Sequence, residues 1–220
     1  TAIHASYSAP TDQVVVFGSS ISVAGINLDA LRSELLASRS IEAVSAVRIP
    51  PWSPGFSSTR LSRSAEGFAT GKQTRVTVVA HDFFQTFGMT LLAGRLFAKG
   101  FNDEPPANAR LSPNVVVDRL LTVEIGFAHP ENAIGAVVHF PGADATQPAG
   151  QARIIGVVEA QQQSLIGMGV RSNVYSFDPA QSGFPVVRIS RNAIPEGLAA
   201  IDAPDSRRAA RCSDSDRPWP

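Results

Sequence analysis

Eight short runs of branched and apolar residues punctuate this chain: QVVVF (13–17), AVSAVRI (43–49), TRVTVVA (74–80), VVV (115–117), AVVHF (136–140), ARIIGVVEA (152–160), SNVYSF (172–177) and PVVRIS (185–190). Each is bounded by glycine, proline or polar residues, a length that suits a buried strand and falls short of a membrane span. The fold must therefore be rich in short strands, with helices supplied by the segments between them.

Those helices can be read from caps and spacing. Asn27 can cap a helix through Arg39, with Asp29 in its first turn and Leu28, Leu31, Leu35 and Leu36 forming one apolar stripe. With the flanking strands this makes the first fifty residues a β-α-β unit, stopped by Pro50 and Pro51. Residues 51–71 have the Ser, Gly and Pro content of an irregular excursion or an exposed hairpin. After the third strand, Phe83, Phe84 and Phe87 fall on one short helix closed by Gly88, with Asp82 facing its dipole. Asp118 can cap a further helix after the VVV strand, and Pro195 sits near the start of a last one, PEGLAAID. Beyond Pro204 the chain is polar and is expected to be disordered.

A chain of 220 residues can bury about 70% of its extended surface without staples. Basic and acidic residues balance at 19 each, which leaves no electrostatic footprint for nucleic acid. Cys212 is the only cysteine, so neither an intrachain disulfide nor a cysteine-cluster metal site is available. Residues 1–10 lack the charged start and apolar run of a signal peptide, and both ends read as connections to something larger.

Motifs for catalysis and cofactors do not assemble. In GFATGKQT the glycines at 67 and 71 are one residue too close for a phosphate loop, and Gln73 stands where a magnesium-binding hydroxyl is needed. No G-x-G-x-x-G opens a helix, which removes dinucleotide binding. His129 and His139 lie ten residues apart with only Glu131 nearby, unlike a zinc or iron signature. His81 beside Asp82 has no nucleophile elbow to serve. No catalytic, cofactor-binding or metal-binding residues are assigned, and no cofactor is expected. The aromatic stretch HDFFQTFGMTLLAGRLF (81–97) has the helical spacing of core.

The order of the motifs adds a family likeness. VTVVAHDFFQTFGMTLLAGRLF, then NVVVDRLLTVEIGF with ENAIGAVV behind it, then ARIIGVVEA, with LDALRSELLASRSIEAVSAVRIPP upstream, together resemble the extracytoplasmic core domain of MacB and FtsX-like ABC transporter permeases. The chain departs from that pattern at Arg39-Ser40, where the family has Pro-Gly, and at Ala80-His81, where Ser-Pro is usual and a helix cap worth roughly 1 kcal/mol is lost.

The resemblance implies an α+β fold of two lobes: a porter-like α/β lobe of β-α-β units from 11–54 and 184–203, and an inserted β-rich, sabre-like lobe from 55–183 that the phenylalanine stretch would stiffen, followed by the polar tail 204–220. It implies a non-catalytic periplasmic part of an inner-membrane permease that transmits ATP-driven helix motion to periplasmic partners or cargo. The partners implied are a cytoplasmic ABC ATPase domain or subunit, a second permease copy and a periplasmic adaptor, with the membrane reached through flanking transmembrane helices. The alternative reading is a free-standing binding domain that grips an apolar or peptide ligand between the lobes. Candidate partner contacts are Trp52, Phe56 and Phe68 on the Ser/Gly/Pro excursion, and Leu165, Ile166 and Met168 in a glycine-punctuated loop. In dilute solution the isolated chain is expected to be a monomer.

Overall fold

The computed structural model describes residues 4–5, 14–18, 20–21, 26–50, 53, 55–65, 71–98, 100–106, 111–141, 150–160 and 171–202. The strands are β1 (His4–Ala5), β2 (Val14–Val16), β3 (Ile41–Val47), β4 (Ser57–Leu61), β5 (Lys72–Val79), β6 (Leu91–Gly94), β7 (Asn114–Asp118), β8 (Val137–Phe140), β9 (Gly150–Val158), β10 (Asn173–Phe177) and β11 (Phe184–Ile189). The helices are α1 (Leu28–Leu36), α2 (Phe83–Thr86), α3 (Arg119–Glu124) and α4 over 194–202.

All eleven strands join one mixed α+β sheet in the order β1-β2-β11-β3-β5-β10-β7-β9-β6, with β4 added to β5 and β8 to β9. The order separates by chain position. Strands from 4–47 and 184–189 stand together at one end, and strands from 57–177 make up the rest. The two groups meet at a waist of one register pair, Val47↔Val79. Two backbone bonds flank it, Arg48 N–H to Val78 O at 3.0 Å and Ala80 N–H to Ala46 O at 2.9 Å. A hydrogen-bonded path that is continuous and narrow thus runs between the two strand groups.

Local chemistry explains the elements. Asn27 accepts from the Ala30 N–H and starts α1, and Leu31 and Leu35 are buried against β3 and β11 with Leu28 partly buried beside them. Leu36 points outward, and the helix stops there, short of Arg39. Ser38 and Ser40 bond to each other through their hydroxyls at 2.7 Å, the local competition by which serine ends helices. Within the expected excursion of 51–71, Ser57–Leu61 is a strand, β4, that pairs antiparallel with β5.

Leu91–Gly94, expected as part of the aromatic plug, is an edge strand. It lies so close to β9 that a side chain at Gly94 or Gly156, which pair across the two strands, would stand 2.2 Å from the carbonyl of Ile155 or Arg95 respectively. Gly94 also holds φ +75°, a conformation other residues rarely adopt.

The phenylalanine stretch is core, but it does not stay within the inserted segment. Phe83 and Phe84 are both 2% exposed and pack with Val14, Val16, Val47 and Val186 from one strand group and with Val116, Tyr175 and Phe177 from the other. Because α2 begins four residues after the waist pair, its rings reach strands on both sides.

Candidate functional site

Below the waist β3 and the chain leaving β5 diverge, and the fork opens into a cleft of about 700 Å³. One wall is α1, which presents Asn27, Asp29 and Arg32; the other is the segment after β6, which presents Asn102, Asp103 and Glu104; Ser45, Ala80 and His81 line it between them.

The second wall is fixed by an ion pair whose carboxylate is buried. Arg95 donates to both oxygens of Asp103 at 2.8 and 2.9 Å, and the Asn114 amide adds a third bond at 2.9 Å. Burial pushes the Asp103 carboxyl up, but the bonds from Arg95 and Asn114 together outweigh it and hold the group below its ordinary value. Its hydrogen bond to Asp103 in turn raises Arg95. The exposed ring of Phe101 lies 4.2 Å from the Arg95 guanidinium and covers the pair from outside.

At the first wall, Arg32 of α1 forms an ion pair with Asp82. This corrects the expected role of Asp82. The residue stands at the cap position of α2, but with φ +60° its side chain makes no cap bond, and the carboxylate reaches across to α1. His81 packs edge-on against Phe177 at 4.6 Å.

The cleft wall carries both charged and polar side chains. Its buried hydroxyl, Ser45 Oγ, has no hydrogen-bond partner, so no base activates it as a nucleophile. Among the described residues no group of three or more His, Cys, Asp or Glu side chains is placed to hold a metal ion.

Of the residues singled out for partner contact, Phe56 is described. It is 37% exposed and borders a second, smaller cavity between the β4–β5 hairpin and the waist. Trp52, Phe68, Leu165, Ile166 and Met168 lie outside the described residues. Sequence reasoning missed Ser45, Arg95 and Asp103. The one local signal for the latter two was their separation of eight residues around a glycine, which is common to many loops.

No family model matches the chain, and no curated protein matches it in sequence. Solved structures do. The periplasmic region of MacB from Actinobacillus actinomycetemcomitans aligns over 95% of this chain and 95% of its own, at 18% identity and a TM-score of 0.50. A domain of a putative permease protein from Porphyromonas gingivalis aligns over 90% and 82%, at 15% identity and a TM-score of 0.50. The extracellular domain of the noncanonic ABC-type transporter YknZ from Gram-positive bacteria aligns over 84% and 87%, at 12% identity and a TM-score of 0.48. The chain has the fold of the MacB periplasmic region. In this MacB-like fold, the sequence landmarks that carried the resemblance have structural duties. Asp118 caps α3 by accepting from the Leu121 N–H, and Gly94 faces Gly156 where two strands cross closely. No helix among the described residues is long and apolar enough to cross a membrane.

Proposed function

We propose that this chain is the non-catalytic extracytoplasmic domain of an ABC transporter permease, passing ATP-driven motion of membrane helices to periplasmic partners or cargo. The observation that carries the reading is the fold likeness to the MacB periplasmic region, which spans nearly all of both chains. In this reading the waist is the boundary between a porter-like lobe (11–54 and 184–203) and a sabre-like lobe (55–183). ATP hydrolysis belongs to a cytoplasmic domain or subunit, and a second permease copy and a periplasmic adaptor are the partners.

The packing supports mechanical use. Besides the waist pair, the polar ties among the described residues include Arg32 with Asp82, the Arg188 Nε–H to Thr86 O at 2.7 Å, and Arg48 to the Gln181 side-chain oxygen at 3.2 Å. A close-packed joint of this kind moves as a unit and so can relay displacement. The test is the parent reading frame and its topology. Apolar spans of about 20 residues on both sides of the segment, with the domain cleaved by protease added outside the cytoplasmic membrane, are the expected result. A signal peptide before the segment and a stop codon directly after it would refute the reading.

A second reading, a binding domain for an apolar or peptide ligand held between the lobes, is favoured by one observation. Ser45 is buried in the cleft with an unpartnered hydroxyl, a group that a bound molecule would satisfy.

A further inference from the structure

Near the waist, the ring of Phe56 lies within cation–π reach of two guanidinium groups, Arg75 at 5.4 Å and Arg171 at 5.7 Å from the ring centre. The ion pairs formed among the described residues include neither. Beside the ring is a cavity of about 30 Å³ lined by Arg48, Arg75, Ser53, Ser57 and Tyr175, with no acidic residue among the described residues of its wall. Arg48 turns one N–H to Gln181, a neutral acceptor. Arg75 Nε is buried and meets no acceptor at all.

These facts point one way. A buried donor without an acceptor is costly, and cations gathered without a counter-charge repel one another. One water would satisfy the Arg75 N–H but leave the charge uncompensated; an oxyanion does both, through charge-assisted bonds. The cavity has room for about two water-sized groups, so two oxygens of an end group can enter while the rest of the molecule stays outside. The two guanidiniums of Arg48 and Arg75 and the hydroxyls of Ser53, Ser57 and Tyr175 line the cavity and supply more donors than the roughly four acceptor sites of a carboxylate, which favours phosphate.

We propose that this pocket binds a phosphate-type oxyanion, with the Arg75 guanidinium donating to an inserted oxygen and Arg48, Ser53 and Ser57 facing the others. The group can come from a soluble phosphate ester or from a phospholipid headgroup. The proposal does not depend on the transport reading.

The test follows the Nε–Hε resonance of Arg75 in the isotope-labelled 220-residue chain, assigned by its absence from Arg75→Lys. Three probes are added separately: inorganic phosphate, sodium chloride at matched ionic strength, and phosphatidylcholine vesicles with or without phosphatidylglycerol. The expected result is a saturable shift with phosphate that chloride does not reproduce, and at least about a tenfold weaker phosphate affinity in Arg75→Gln and in Arg48→Gln. A matching loss or shift of the resonance with phosphatidylglycerol vesicles, absent with phosphatidylcholine alone, assigns the source to lipid; a response to inorganic phosphate only assigns it to soluble esters. No response to phosphate or phosphatidylglycerol, or an equal response to chloride, overturns the proposal. The wild-type resonance decides this even where a variant fails to fold.

Discussion

Phe84→Ala is the perturbation that best isolates how the two strand groups are held together. The ring is 2% exposed and lies 5.6 Å from Phe83, 5.9 Å from Phe97 and 5.1 Å from Tyr175, in a cluster that takes residues from both groups. Removing a buried phenylalanine from a packed core costs about 3 to 5 kcal/mol. Three lost aromatic contacts place this site near the middle of that range or above it. For a chain of this length, about 4 kcal/mol lowers Tm by roughly 8 to 16 °C.

The comparison is Leu121→Ala, which opens a cavity in the cluster confined to the strand group of 57–177, at a cost of about 2 to 5 kcal/mol. Urea unfolding is followed by fluorescence and by circular dichroism. Leu121→Ala should shift the midpoint with an unchanged slope, while Phe84→Ala should also flatten or split the transition, because the joint fails before the lobes. A loss below about 1 kcal/mol for Phe84→Ala, or identical slopes in the two variants, would refute the claim that the rings join the halves.

Three further outcomes follow from single sites. Burial pushes the Asp118 carboxyl up to about 6 from 3.8; because the folded value is the higher one, this group favours folding at low pH and loses that contribution as pH rises through about 6, a difference of about 3 kcal/mol. Asp118→Asn should flatten this part of the stability profile between roughly pH 4 and 6, and urea midpoints that keep the wild-type pH slope would sink the idea. Gly156→Ala places a methyl 2.2 Å from the Arg95 carbonyl and should cost about 1 to 3 kcal/mol, whereas Gly55→Ala, whose nearest neighbour is 3.8 Å away, should stay within about 0.5 kcal/mol in the same melt. Asp103→Ala leaves Arg95, itself a third exposed, and the Asn114 amide without their shared acceptor and should cost about 1 to 3 kcal/mol; Arg32→Ala removes a pair about a third exposed on both sides and should cost under about 1 kcal/mol, so a smaller loss for Asp103→Ala would contradict the assigned burial of its carboxylate.

Short-range chemistry was readable from the residues alone. Asn27 and Asp118 cap the helices they precede, and the β-branched runs are strands, because each signal is complete within a few positions. What was hidden depends on distant partners. Nothing near Val47 announces that it is the point where β3 touches β5, nor that β5 runs parallel to β10 from a segment a hundred residues away. Asp82 read as a helix-facing carboxylate because its partner, Arg32, lies fifty residues upstream. Leu91–Gly94 lacks the alternation of a strand, since its edge position leaves Leu91 exposed and lets glycine carry the close approach to β9. For the candidate cleft, Ser45 looked like any small residue in a strand; its unpartnered hydroxyl emerges only once β3 and β5 diverge.

The waist also decides which interactions could carry force. Its two flanking backbone bonds contribute about 1 kcal/mol each after exchange with water, and the Arg32–Asp82 pair, partly open to solvent, adds under about 1 kcal/mol. The Arg188–Thr86 and Arg48–Gln181 bonds add to these, and the ring cluster around α2, in which Phe84 and Phe83 are equally buried, adds apolar packing that takes residues from both groups. The two strand groups are therefore joined by side-chain packing around α2 as well as by polar bonds. A sheet joined by many pairs would transmit bending along its whole edge; one joined at a point, with a ring cluster beside it, concentrates the load on a few residues. Phe84→Leu should therefore retain most of the stability because an apolar side chain still fills much of the volume, whereas Phe84→Ala leaves a cavity beside the waist and should show the broadened urea transition described above.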